Sequence, residues 1–358
     1  MNIGFFTDTY FPQVNGVTYT LHAWKKEFGD SAKIFYPSSK YEPKKGEIPF
    51  PSIKIPFYQG YRFSFPFGIS KASEDLDIVH IHGLFSMGFA GKHVAKKHNL
   101  PKVLTYHTPV ELYSKYLTEN KKLSDFFKGI YRRWEKYLLN SCDLITVPSE
   151  PVKEYLNDRG ISNVKVLSNG IDTNLFKPRK NNDFRKKHNL KGKVIGYCGR
   201  IGFEKKLEDL IGIAPEFDGT ILIAGDGPAL DHYKKLAEDY SNVKFLGFIK
   251  RENLSAFYSA LDLFVFPSVV ETEGLVALES FACRTPVVGA NALALKDTIK
   301  SGKTGYLYEP GNKKDLEKKI KKAYKNRKKL SKNAVKFAKT KSLQSTTKKL
   351  SKLYADLI

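Results

Sequence analysis

Glu271 and Glu279 stand on either side of Gly274 in the segment Pro267-Ser268-Val269-Val270-Glu271-Thr272-Glu273-Gly274-Leu275-Val276-Ala277-Leu278-Glu279, which follows the apolar run Leu261-Asp262-Leu263-Phe264-Val265-Phe266. The run has the character of a buried strand. After it, Leu275, Leu278, Glu279 and Ala282 recur at helical spacing, so Gly274 opens a helix, Glu271 belongs to a loop and Glu279 to the helix itself. The first amides of such a helix, those of Gly274, Leu275 and Val276, have no intrahelical acceptor, and the dipole favours an anion in front of them. Glu279 then lies about 7 Å further along the axis, at about 1.5 Å per residue, roughly the offset of a ribose from a diphosphate. A carboxylate only accepts hydrogen bonds, so one Glu on each side of a phosphate seat suits neutral polyols: a ribose on one side, a sugar on the other. Taken singly, each acid also fits a plainer role, Glu271 as a solvated loop residue and Glu279 as part of a helix surface.

A diphosphate leaving group needs positive charge, and Gly199-Arg200-Ile201-Gly202-Phe203-Glu204-Lys205 offers it. Arg200 and Lys205 are two fixed cations at a strand-to-helix turn. Nearer the start of the chain, Asn15-Gly16 is a turn signal before a helix beginning near Val17, so Gly16 can bring bare backbone close to a ligand. Thr105-Tyr106-His107-Thr108-Pro109 ends a strand, where His107 can orient a sugar hydroxyl or contact a phosphate; a structural histidine also fits there. His80 and His82 alternate along a strand without carboxylate or thiolate partners and read as structural or supporting groups. Asp75-Leu76-Asp77 has the spacing of a metal-bound nucleotide-sugar motif, but it leads into a strand and reads as a helix-to-strand connection. No metal is expected.

The elements that must position these residues alternate. Ile3 to Phe6, Ala32 to Tyr36, Ile78 to Ile81, Val103 to Tyr106, Leu144 to Val147 and Val164 to Leu167 read as strands, with helices around Tyr19 to Phe28, Phe89 to Lys97, Ser124 to Leu139 and Pro151 to Asp158. A crossover from Asn169 to Lys193 leads to a second alternation, with strands Val194 to Cys198, Thr220 to Ala224, Val243 to Leu246, Leu263 to Phe266 and Pro286 to Gly289. Such alternation implies parallel, doubly wound sheets, and two of them in tandem imply a cleft between the carboxyl ends of their strands. The nucleotide base is expected against backbone near Phe248 and Ile249, after the third strand of the second unit. Lysine-rich helices from Lys313 finish the chain.

The chain has 358 residues, 41% of them hydrophobic, enough for two ordinary α/β domains. Its three cysteines are odd in number and far apart, and read as reduced thiols of a cytosolic protein. No apolar stretch approaches a membrane span and the first residues enter a strand directly, so neither an anchor nor a signal peptide is expected. The net charge is +23, and between Lys313 and Lys352 there are 17 Lys and Arg against Asp315 and Glu317. That stretch fits an anionic membrane surface, nucleic acid or simply exposed Lys-rich helices. No nucleic-acid-binding motif accompanies it, so the membrane surface is the favoured partner.

With these residues in view, the chain resembles the family-4 retaining glycosyltransferases of the GT-B fold over nearly its whole length. The resemblance is carried by Glu271-x7-Glu279 with Gly274, by Gly199-Arg200 with Lys205, by His107-Thr108, by Ser168-Asn169-Gly170-Ile171-Asp172 and by the Gly-containing first loop. It implies an α/β fold of two Rossmann-like domains with doubly wound parallel sheets facing across a cleft: residues 1–168 for the acceptor, 169–338 for the nucleotide-sugar donor, and 339–358 as a helix crossing back. It implies that Glu271 holds donor-sugar hydroxyls, Glu279 the ribose, Gly274 to Val276 the phosphate, and Arg200 and Lys205 the diphosphate charge, with Gly16 and His107 completing the site. Asn169 and Asp172 are structural in that reading, and no cofactor is required. Glu273 and Lys206 depart from the family, which often has Phe and Gly there.

Glu271-Thr272-Glu273-Gly274, the first loop from Thr7 to Val17, and His107-Thr108-Pro109 with Glu111 and Tyr113 are similar to the subgroup that glucosylates diacylglycerol. Tyr113 to Leu139 interleaves Tyr116, Leu117, Leu123, Phe126, Phe127, Ile130, Tyr131 and Trp134 with Lys and Arg. Such a helix can lie in a membrane interface or pack on its own domain. The expected function is transfer of a hexose, glucose from a UDP-sugar, to a lipid acceptor, by a peripheral protein on the inner face of the cell membrane. The alternatives are a GDP-mannose-dependent mannosyltransferase, a transferase acting on a soluble glycan, and a nucleotide-sugar- or nucleic-acid-binding protein without turnover.

Overall fold

The computed structural model describes residues 1–55, 62–107, 109, 121–180 and 182–358. The chain divides into two units, residues 1–170 with 343–358, and residues 171–342.

The first unit is built on the strands β1 (Ile3–Phe6), β2 (Ala32–Pro37), β3 (Glu47–Phe50), β6 (Ile78–Ile81), β7 (Lys102–Thr105), β8 (Leu144–Val147) and β9 (Val164–Val166). They form one parallel sheet in the order β3-β2-β1-β6-β7-β8-β9, with Ile3 opposite both Ala32 and Ile78. A short antiparallel pair, β4 (Ser52–Lys54) with β5 (Arg62–Ser64), lies outside it. Neighbouring side chains on a strand point to opposite faces, and both faces here are apolar because helices cover both. Phe6, Val79, Ile81, Leu104 and Ile145 join one core cluster with the helix Ser86–His98; Phe5, Ile78, Val103 and Leu144 join the other. That second face carries Leu21 and Trp24 of the helix Gly16–Phe28, and Leu350 and Tyr354 of the terminal helix Leu343–Ala355. The Trp24 indole N–H donates to Asn169 O at 2.8 Å. Asp75 is held by Lys33 Nζ at 2.6 Å and Asp77 accepts from the Asn2 amide, which places the Asp-Leu-Asp triplet at the start of β6.

The second unit carries β10 (Lys193–Cys198), β11 (Gly219–Ala224), β12 (Val243–Gly247), β13 (Leu263–Phe266), β14 (Val287–Ala290) and β15 (Gly305–Tyr308), parallel in the order β12-β11-β10-β13-β14-β15. The chain runs from β10 outward to β12, then crosses back to the other side of β10 at β13. Loops leaving β10 and β13 therefore diverge and open a crevice at the carboxyl ends of these two strands. The first unit reverses in the same way between β1 and β6.

Of the eleven strands expected from sequence, four match the observed ones at both ends, five differ by a residue at one end, and two, Val103 to Tyr106 and Pro286 to Gly289, are shifted by a residue at both ends. β3, β4, β5 and β15 were not expected. The first helix starts at Gly16, one residue before the start expected near Val17, and Asn15 caps it by accepting from the Thr18 amide at 2.9 Å. Thr108, Glu111 and Tyr113 lie outside the described residues, as do the side chains of Leu123, Phe126, Phe127 and Ile130 in the helix Lys121–Leu139.

Candidate active site

Four of the expected residues gather in the crevice between β10 and β13. Lys205 ends a 3-10 turn, Phe203–Lys205, and its ammonium meets Glu271 Oε1 at 2.6 Å and Ser268 Oγ at 3.4 Å. The two loops are also tied through the backbone, since the Val269 amide donates to Glu204 O at 3.2 Å. Burial alone would lower the Lys205 pKa, but the adjacent Glu271 carboxylate outweighs it and holds the ammonium above the ordinary lysine range. Arg200 projects from the same loop, its Nη2 2.8 Å from Oε1 of the buried Glu204 while much of its side chain stays exposed. Tyr197 OH donates to Arg200 O and fixes the turn.

Gly274 ends the β13 loop in the left-handed region, at φ 79°, and begins the helix Leu275–Ala282 without a side-chain cap. Only glycine adopts this conformation readily, and a Cβ here would lie 2.8 Å from Leu295 Cδ2. Among the described residues no acceptor meets the amides of Leu275 and Val276, which leaves two donors at the positive end of the helix dipole. They lie in the same loop system as Lys205 and Arg200. Amides and cations of this kind suit a phosphate group.

Glu279 is the fifth residue of that helix and is buried. Its Oε1 accepts from Arg251 Nη1 at 3.0 Å and its Oε2 from Tyr258 OH at 3.0 Å. Burial raises its pKa, while Arg251 and Tyr258 work against that shift. Each oxygen keeps a further lone pair, so the carboxylate is oriented and still able to accept from a hydroxyl. Phe248 follows β12 and is 61% exposed, with Ile249 half-buried beside it. An exposed aromatic ring at the carboxyl edge of a sheet offers a stacking face.

In the first unit, Gly16 is exposed at the start of its helix, after β1. His107 follows β7 and stacks on His82, the ring centroids 5.2 Å apart, with His107 Nε2 2.9 Å from His82 Nδ1. Among the described residues, His82 Nε2 is buried with no partner. An orphan buried N–H is rarer than an orphan acceptor, so the His82 proton belongs on Nδ1, donated to His107, and the His107 proton on Nδ1. Burial lowers the His107 pKa to about 3 and that of His82 well below its usual value, so both rings are neutral. His80 is held by Tyr354 OH at 2.5 Å and Thr105 Oγ1 at 2.7 Å. Asp8 accepts from the Phe85 and Met87 amides and the Ser86 hydroxyl at the head of the Ser86–His98 helix.

Glu204, Arg251, Tyr258 and Ser268 were not singled out from sequence. Glu204 acts on Arg200 within one loop, whereas Arg251, Tyr258 and Ser268 act on expected residues from another loop or helix; Glu204 and Ser268 lie inside the motifs already of interest, and Arg251 stands close after Phe248 and Ile249.

The description "Glycosyltransferase Family 4" matches residues 14–175, and "Glycosyl transferases group 1" matches residues 178–341. The chain is 31% identical over 335 residues to the alpha-monoglucosyldiacylglycerol synthase of Streptococcus pneumoniae, covering 86% of this chain and 75% of that protein. It is 27% identical over 331 residues to a GDP-mannose-dependent alpha-mannosyltransferase of Corynebacterium glutamicum, covering 86% and 77%. Sucrose-phosphate synthase from Thermosynechococcus elongatus superposes with a TM-score of 0.80 at 20% identity, covering 100% of this chain and 99% of that one. Anabaena HepE, solved in complex with UDP-glucose, superposes at 0.78 with 19% identity and covers 100% of both chains. These structures share the GT-B fold with two Rossmann-like domains.

Proposed function

The chain belongs to the family-4 glycosyltransferases, and from that premise we propose that it transfers glucose from a UDP-sugar, with retention of configuration, to a membrane lipid such as diacylglycerol. The observation that carries the transfer chemistry is the Lys205–Glu271 pair beside Arg200 and the uncapped amides of Leu275 and Val276. In this reading the amides, Arg200 and Lys205 take the diphosphate and stabilise the charge that develops as it leaves. Glu271 holds donor-sugar hydroxyls, Glu279 the ribose hydroxyls, and Phe248 and Ile249 border the base. Gly16 and the neutral His107 contribute from the first unit, the His107 Nδ1–H as a donor to a sugar or phosphate oxygen. The acceptor hydroxyl attacks on the face that the leaving group quits, and catalysis comes from positioning and charge stabilisation. No metal or cofactor has a part in it.

The lipid acceptor is supported by the diacylglycerol-glucosylating relative and by the surface of the helix Lys121–Leu139. Its Leu138 and Leu139 are buried, while Trp134 and Tyr137 are 43% and 61% exposed. Aromatic rings at a basic surface suit a membrane interface. The proposed attachment is peripheral, on the inner face of the membrane, and no helix among the described residues is long and apolar enough to cross one.

A donor screen with diacylglycerol in vesicles and with soluble glycans, followed by linkage analysis, tests the proposal: an α-glucosyl lipid formed from UDP-glucose is expected. The mannosyltransferase relative favours a second reading, GDP-mannose as donor. UDP should raise the melting temperature more than GDP does; the reverse order would select the second reading.

A further inference from the structure

At the opposite end of the second unit's sheet from Arg200 and Glu271, the amino ends of β10 and β11 border a cavity of about 1000 Å³. Six cations line it, Lys191, Lys193, Lys325, Arg327, Lys328 and Lys329, against two acids, Asp218 and Asp262. Asp262 is already engaged, accepting from the Val194 amide and pairing with Arg185 and Arg327. Asp218 is 97% exposed and 3.4 Å from Lys193, a geometry that neutralises little. Among the described residues, Lys191, Lys325, Lys328 and Lys329 make no ion pair, so the concave surface keeps an excess of positive charge that an anion would relieve.

Three backbone donors add to these cations. The helix Arg327–Thr340 begins at the cavity, and Asn326 before it is a residue type that normally caps. Here the Asn326 amide group donates instead to Tyr306 OH at 3.1 Å and Lys322 O at 3.0 Å, and caps nothing. The amides of Arg327, Lys328 and Lys329 are therefore left for an acceptor from outside the helix. A separate observation points the same way: Tyr324 lines the cavity, and among the described residues its hydroxyl is buried with no partner.

We propose that this cavity is a second anion site, independent of the transferase site, that takes a phosphate group carrying two negative charges. A soluble phosphate and the phosphomonoester headgroup of a lipid present the same chemistry. Calorimetric titration of the full chain with inorganic phosphate at fixed ionic strength, and flotation with phosphatidylcholine vesicles with and without phosphatidate, separate the two sources. Lys328→Glu/Lys329→Glu removes two cavity cations, and its acids occupy the first turn of the helix, where the dipole favours them, so the variant should fold. Lys318→Glu/Lys321→Glu changes the net charge equally at exposed positions outside the cavity. Binding at the transferase site is common to both variants and cancels in the comparison.

The cavity variant is expected to bind phosphate at least about tenfold more weakly than the control, the loss that follows from one missing charge-assisted contact. Loss of phosphatidate-dependent flotation in the cavity variant alone assigns a headgroup; retained flotation with lost phosphate binding assigns a soluble ligand. Equal losses in both variants, or no binding of either probe by the unmodified chain, would overturn the proposal.

Discussion

Lys205 and Glu271 keep side-chain exposures of only 13% and 15%, and this placement decides what mutating either one does. Removing one partner leaves a poorly solvated charge behind, whereas replacing both with apolar groups does not. Lys205→Ala is therefore expected to cost about 3 kcal/mol of stability, and Lys205→Met/Glu271→Leu much less, since breaking a buried pair is costly but swapping it is often near neutral. Urea denaturation measures both. If the pair were only structural, the double variant would keep activity; in the proposed role it is stable and inactive. Glu271→Ala and Arg200→Ala should each abolish transfer in a folded protein, because one removes contacts to the transferred sugar and the other a charge on the leaving group. Turnover retained in both would sink the assignment. The residue types of this pair were legible in the sequence, but their contact was not: Arg200, Lys205, Glu271 and Glu279 stood out by spacing, while the 2.6 Å pairing of Lys205 with Glu271 depends on two loops that are 66 residues apart. The same holds for Glu279, whose Arg251 and Tyr258 partners come from outside its helix.

At the scale of elements, the loop after β13 depends on Gly274. At φ 79° an L-residue is strained by about 1–2 kcal/mol, and the added Cβ would press on Leu295. Gly274→Ala should thus lower the melting temperature modestly. It should lower kcat/KM far more, because the amides of Leu275 and Val276 move with the turn. Equal kcat/KM in the variant would mean that these amides do not hold the phosphate. Central strands were legible because both faces are covered and every residue is apolar, as in Ile3–Phe6 or Leu263–Phe266. The sheet margins were not. β3 buries Glu47, half-buries Ile48 and exposes Pro49, and β15 is a Gly-Tyr-Leu-Tyr run. Pairing with β2 and β14 makes them strands, and that pairing leaves no local periodicity.

At the scale of the whole molecule, the two tryptophans, Trp24 and Trp134, both belong to the first unit, so their fluorescence reports that unit alone. This unit also holds three neutral histidines, His80 and His82 buried and His107 half-buried, each with its pKa lowered chiefly by desolvation. Unfolding returns them to water, where they take up protons at about pH 6.5. The unfolded state then binds more protons than the folded one, and stability is lost as pH falls below that value. Asp8 works in the other direction. Burial pushes its pKa up to about 6, so the folded state binds its proton more tightly, and its contribution to stability falls as pH rises from the ordinary carboxylate range towards 6. Three groups oppose one, so the histidines outweigh Asp8 over this range. The tryptophan-monitored urea midpoint should therefore drop as pH is lowered from 7 to 5. His82→Phe, which removes one of the three titrations, should flatten the drop. A midpoint that stays level or rises over this range would mean that the histidine cluster is solvated or charged in the folded protein. In that case the neutral His107 donor assigned to the active site would fail with it.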